Sequence, residues 1–252
     1  MSRARLRNLG IEIGDLPIGP NNAITDVPGV TVGHTTLIHD EPRIARTGVT
    51  VVMPRGGQVQ NDNVFAAYYS FNGNGEMTGL PWLEETGLLS SPVAITNTHQ
   101  VGVVRDALVE RASNRGGSWF LPVVAETYDG FLNDINAFHV TKEHVFQALD
   151  SASGGPVTEG NVGGGTGMMC HGFKGGIGTS SRVAEIGGAS FTVGVLVQAN
   201  HGHRRLLRVN GVPVGREIGS AVVPLPGRSD DGEGSIIVIA ATDAPLLPIQ
   251  CK

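Results

Sequence analysis

Apolar positions recur along this chain with two distinct periods. Residues 30–35 alternate apolar and polar, the pattern of a strand with one buried face. Residues 47–53 (TGVTVVM) read as a second strand, bounded by Pro54 and the Gly56-Gly57 pair. Residues 92–96 (PVAIT), 120–125 and 190–198 (SFTVGVLVQ) read as further strands. The run 235–242 is apolar or β-branched at nearly every position after its first serine, which predicts a central strand buried on both faces. A helical period appears after residue 97, where Asn97 or Thr98 caps a segment with Val101, Val104 and Leu108 on one face. Thr141 caps another that carries Val145, Phe146 and Leu149, and residues 62–69 read as a short helix.

Residues 1–29 are turn-rich, and residues 228–234 (RSDDGEG) read as an exposed acidic loop. Asp243 is placed to cap a helix in the closing "DAPLLPIQCK", an apolar segment begun and left unfinished. That ending predicts a chain truncated at its C-terminus. Strands alternating with helices predict an α/β or layered α+β fold, in one domain over residues 1–252.

Composition narrows the function. The 252 residues are 40% hydrophobic and 16% charged, enough apolar material for a sizeable core. A net charge of −5 argues against nucleic acid as a partner, because phosphate binding needs a basic face. The first residues hold three arginines but no apolar core of a signal peptide, and no run of about 18 apolar residues predicts a membrane span. The default is a cytoplasmic enzyme or binding protein. Two cysteines, Cys170 and Cys251, make no disulfide framework and no CxxC zinc pair. Glycine is the outlier at 37 residues, about twice the usual share of roughly 7%.

Many glycines sit in "GNVGGGTGMMCHGFKGGIGTSS" (residues 160–181). Gly167 and Gly172 have the spacing of a phosphate loop, but Phe173 stands where its lysine belongs. No dinucleotide fingerprint fits either. Two readings remain: a tight glycine hairpin with positive φ, or a glycine surface that another backbone approaches closely. His201-Gly202-His203 has no carboxylate at ligand spacing and is followed by arginines, so it reads as loop histidines without a metal. His99 and His171 are isolated in sequence.

Three stretches carry candidate chemistry. In "VVAETYDG" a strand ends in acids and a tyrosine: Glu126 or Asp129 suits a substrate ammonium, and Tyr128 suits a developing oxyanion, against the alternative of a solvated turn. Asn200 follows a strong strand, where its amide serves either as an oxyanion donor or as a strand-end cap. Gly234-Ser235 joins the acidic loop to the apolar strand. A serine there can attack its own preceding carbonyl, shift the acyl group from N to O and be released by water. The new α-amine, of pKa about 8, then acts as a built-in base. Glycine before it permits the backbone distortion that the attack needs.

These stretches, with "NAITDVPGVTVGHTT", "NTHQVGVVRDAL" and "GSIIVIAATDAPLLP", resemble the P1 (S58) peptidase family of L-aminopeptidase/D-esterase and β-peptidyl aminopeptidase type over nearly the whole chain. The resemblance implies an αββα sandwich like the Ntn hydrolases with different connectivity. It implies self-cleavage between Gly234 and Ser235, with residues 1–234 as the larger chain and 235–252 as the start of the smaller. Ser235 is then the nucleophile, Tyr128 and Asn200 the oxyanion site, and Glu126 the candidate for holding the substrate amine. The substrate is a short peptide, amide or ester, without cofactor or metal, and the protein is a homo-oligomer, with a tetramer as the candidate assembly. Two alternatives stand beside this: an acyltransferase of ornithine acetyltransferase type using the same intermediate, and a truncated non-catalytic homologue. The family continues past the equivalent of Lys252 with a serine and a glutamate that support the nucleophile.

Overall fold

A computed structural model describes residues 4–56, 59, 61–116, 121–225, 227 and 234–252. Two sheets form the frame. The first has four strands, β1 (Thr31–His39), β2 (Ala45–Met53), β3 (Val93–Asn97) and β4 (Val123–Thr127), in the order β1-β2-β3-β4. β1/β2 and β2/β3 pair antiparallel, and β3/β4 pair parallel. The parallel pair requires a crossover, supplied by helix α1 (Val101–Ser113). The second sheet has three antiparallel strands, β5 (Gly176–Ile186), β6 (Ala189–Asn200) and β7 (Ser235–Thr242), with β6 in the middle.

Helix α1 and helix α2 (Lys142–Asp150) cover one face of the four-stranded sheet. Val101, Val104 and Leu108 lie on the buried face of α1, as their spacing requires, and pack with Val49, Val51, Ala94 and Val124. Asn97 accepts the His99 N–H at 3.1 Å at the helix entry, and Thr141 caps α2. The other face of that sheet meets the second sheet through Val32, Val52, Ile95, Ile177 and Leu196, backed by Ile237, Ile239 and Ala241. Each such side chain, fully buried, contributes about 1.5–3 kcal/mol. The described residues thus supply a helix layer on two stacked sheets, while Ile236 and Val238 stand exposed on the outer face of β7.

Three expectations need correction, and one element was not read from the sequence. β7 lies at the edge of its sheet among the described residues, and its burial alternates, because only its Ser235, Ile237, Ile239 side meets the other sheet. An apolar run shows that a strand can be covered on both faces, not that it is. Residues 62–69 hold a two-residue strand, Val64–Phe65, paired with Leu88–Leu89, in place of a helix. Asp243 starts no helix: its carboxylate accepts the Thr192 N–H at 2.7 Å and ties the end of β7 to β6, and one 3-10 turn (Pro248–Gln250) follows. Residues 160–181 contain most of β5, an 11-residue strand that their glycines concealed. The acidic loop at 228–233 lies outside the described residues.

The glycine stretch is a surface for close approach of backbone from the same chain. Gly163–Gly165 form a buried 3-10 turn between the sheets. A Cβ on Gly164 would lie 2.6 Å from the Ile95 carbonyl oxygen, and one on Gly165 2.7 Å from the Ile177 nitrogen. Any side chain would push the two sheets apart.

Candidate active site

Antiparallel pairing of β6 with β7 sets Asn200 opposite Ser235, the last residue of one strand against the first of the other. Asn200 is buried there and Ser235 half-buried. The parallel strand β4 delivers Tyr128 to the same point from the four-stranded sheet. Asn200 Nδ2 donates to Ser235 Oγ at 3.1 Å and to the Tyr128 carbonyl at 2.7 Å. Asn200 Oδ1 accepts the Met169 N–H at 3.0 Å, which fixes the orientation of the amide. The Tyr128 backbone N–H donates to Ser235 Oγ, also at 3.1 Å. Two N–H groups therefore converge on one serine oxygen.

Of the tyrosine, it is the main chain that reaches Ser235. The residue is 45% exposed, and its ring folds over Gly130, where a Cβ would lie 2.4 Å from the hydroxyl. Sequence reading named the residue through its hydroxyl and missed its backbone donor, which no residue type encodes.

Gly234 is tightly held. A Cβ there would stand 2.6 Å from His201 Cβ and 3.0 Å from the Asn200 carbonyl oxygen, so only glycine fits beside β6 at this junction.

Glu126 lies two residues before Tyr128 on β4 and is buried. One carboxylate oxygen accepts the Glu76 N–H at 3.2 Å and the other accepts the Thr98 hydroxyl. An ionised carboxylate has about four acceptor sites, so capacity for an ammonium remains. Asp129 is sealed from solvent, and burial pushes its carboxyl upward against hydrogen bonds from Thr47 and Asn133. That placement removes it as a partner for a substrate amine. His99 is exposed and stacks on Phe138, 6.2 Å between ring centres.

The histidines at 201 and 203 are joined by others that sequence separates. His171 and Cys170 lie beside His201, with one side-chain donor atom of each within 4.8 Å of the other two. Burial pushes the Cys170 thiol up and holds the His201 imidazole below its usual range, helped by His171.

Comparison with known proteins identifies the family and the fold. Residues 22–252 match the family model of peptidase family S58. The chain is 53% identical to a β-peptidyl aminopeptidase of Sphingosinicella microcystinivorans, over 98% of this chain and 67% of that protein. It is 46% identical to one of Sphingosinicella xenopeptidilytica, over 98% of this chain and 66% of that protein. It thus spans about two thirds of the length of these relatives. A solved β-aminopeptidase of Burkholderia sp. superposes with a TM-score of 0.92 at 54% identity, over 98% of this chain and 69% of the other. The L-aminopeptidase D-Ala-esterase/amidase of Ochrobactrum anthropi, described as a new variant among the Ntn hydrolase fold, superposes at 0.86 with 49% identity, over 99% and 70%. The mixed α/β architecture described above is that fold variant.

Proposed function

The chain belongs to peptidase family S58, a family of hydrolases, and from that premise we propose that it is a self-processing serine aminopeptidase whose nucleophile is Ser235. The observation that carries the reading is the convergence of the Asn200 amide and the Tyr128 N–H on Ser235 Oγ, each at 3.1 Å.

In processing, Ser235 Oγ attacks the Gly234 carbonyl carbon. The C–N bond breaks, the proton passes to the departing Ser235 nitrogen, and water hydrolyses the ester. The freed α-amine, of pKa about 8, then takes the Oγ proton during attack on substrate. The substrate oxyanion is held by Asn200 and Tyr128, the leaving amine is protonated, and water resolves the acyl-enzyme. Glu126 holds the substrate ammonium. The names of the relatives favour short peptides or amides that begin with a β-amino residue. We further assign a cytoplasmic location and a homo-oligomeric state, as the resemblance implies; a solution mass measurement tests the latter.

The deciding experiment is the denatured intact mass of the protein beside Ser235→Ala, followed by amine release from β-alanyl and α-alanyl anilides. The reading expects two fragments meeting at Gly234/Ser235 in wild type, one chain in the variant, and hydrolysis only in the former. A single chain in both, with no hydrolysis above the variant, overturns it.

A further inference from the structure

The cluster beside the proposed cleavage junction has a donor set that the peptidase chemistry does not use. The hairpin of short strands Met169–Cys170 and Phe173–Lys174 turns at His171 and Gly172, both with positive φ, at 51° and 69°. Two consecutive positive φ values make the tight two-residue turn that Asn-Gly or Gly-Gly usually fills. A histidine is an expensive occupant of that corner. Its backbone N–H donates to the His201 carbonyl at 2.8 Å, docking the hairpin on the end of β6.

The His171 ring is oriented by a second contact. Nδ1 lies 3.0 Å from the His203 carbonyl oxygen. A carbonyl only accepts, so Nδ1 carries the proton and Nε2 keeps its lone pair free for a ligand. An outer hydrogen bond of this kind is how metal-bound histidines are usually fixed. The ring packs on Gly202, where a Cβ would lie 2.5 Å from its Cε1. The His171 and His201 rings meet edge to face at 5.4 Å, and the Cys170 thiol completes the group. The nearby cation Arg204 is tied to the main chain of the same hairpin and its surroundings: it bonds the carbonyls of His171, Gly172, Ile218 and Val223 and stacks on Phe173.

We propose that Cys170, His171 and His201 form a zinc-binding site, with three protein ligands and a fourth position open to water. The donor atoms lie within 4.8 Å of one another. Zinc bonds of about 2.3 Å to sulfur and 2.0–2.1 Å to nitrogen require separations of about 3.3–3.7 Å at tetrahedral angles. Closing the difference takes donor-atom shifts of about an ångström. One thiolate and two imidazoles suit zinc and its cobalt surrogate, and disfavour magnesium and calcium, which take oxygen ligands. Binding releases the thiol proton to solvent.

The test is titration of metal-stripped wild-type protein with Co²⁺, read by absorbance. The expected result is one equivalent, with a sulfur-to-cobalt band in the near ultraviolet that Zn²⁺ displaces stoichiometrically. The chain has two cysteines, so Cys251→Ser should keep the band and Cys170→Ser should abolish it. His171→Ala should weaken binding at least about tenfold. Absence of the band in wild type, or its loss in Cys251→Ser, overturns the proposal whether or not Cys170→Ser folds. Both readouts are optical and independent of peptidase activity, so this inference can fail while the proposed function stands, and the reverse.

Discussion

Asn200 Nδ2 bridges Ser235 Oγ, at 3.1 Å, and the carbonyl of Tyr128, at 2.7 Å. One amide therefore joins the two sheets and addresses the hydroxyl proposed as nucleophile at once. Asn200→Ala should lower both the rate of self-cleavage and the rate of peptide hydrolysis by about 10²–10³, the usual cost of one oxyanion donor. It also strips partners from Tyr128 and Met169, costing about 1–3 kcal/mol of stability. Asn200→Asp keeps an acceptor for the Met169 N–H but turns a negative charge on Ser235 Oγ, so its rate should fall at least as far. The checks are time-resolved fragment formation and thermal unfolding. A rate within a few-fold of wild type in both variants would remove Asn200 from the chemistry.

Glu126 tests the substrate amine separately. Glu126→Gln keeps the side chain's size, still accepts from the Glu76 N–H, and lets the Thr98 hydroxyl reverse from donor to acceptor. The fold and self-cleavage should be unchanged. A charge-assisted hydrogen bond contributes about 1.5–3 kcal/mol, so KM for short peptides should rise about ten- to a hundredfold with kcat nearly constant. An unaltered KM would mean that the amine is bound elsewhere.

The elements most legible in the sequence are those whose burial follows a simple period. Val101, Val104 and Leu108 show their helix face directly, whereas β2, buried along nearly its whole length, shows itself only as an apolar run between turn residues. The glycine-rich stretch hid β5, because a glycine has no side chain to display a period. Its role rests on what stands opposite, such as Ile95 against Gly164, residues far apart in sequence. The positions of Ser235, Asn200 and Glu126 at strand ends were readable from the sequence, and their proposed roles follow from residue type. The Tyr128 contribution was not readable, since a backbone N–H belongs to every residue. The partners of His201 were misjudged for a related reason. Sequence pairs it with His203, whereas strand ends and a hairpin bring it His171 and Cys170.

Two glycines should behave oppositely when replaced by alanine. At Gly164 the new Cβ meets Gln198 Oε1 and the Ile95 carbonyl oxygen, each at 2.6 Å, in the packed layer between the sheets. At Gly178, on β5, it meets nothing within 4 Å. Gly164→Ala should cost about 2–3 kcal/mol, a Tm drop of roughly 4–12 °C, while Gly178→Ala stays within about 0.5 kcal/mol. Similar Tm values for the two variants would count against sheet-to-sheet contact at the glycine turn.

Acid sensitivity has a named source in His34. Its Nδ1 lies 3.0 Å from Thr50 Oγ1, its Nε2 is buried without a hydrogen-bond partner, and burial lowers its pKa from 6.5 to about 4. The folded protein thus holds the ring neutral where the unfolded chain would protonate it. Above pH 6.5 the two states bind the same number of protons, and stability is full. As pH falls from 6.5 toward 4 the unfolded state gains a proton that the folded state refuses, and about 3 kcal/mol of stability is lost; below 4 the folded state is protonated too and the loss levels off. Burial shifts His144 and His201 in the same direction, so they add to the slope. The informative quantity is therefore the difference between wild type and His34→Gln, whose amide can still bond Thr50. Urea unfolding at several pH values should show the stability of the variant relative to wild type rising by about 3 kcal/mol between pH 7 and pH 4. A difference that stays constant across that range would assign the acid sensitivity to other groups.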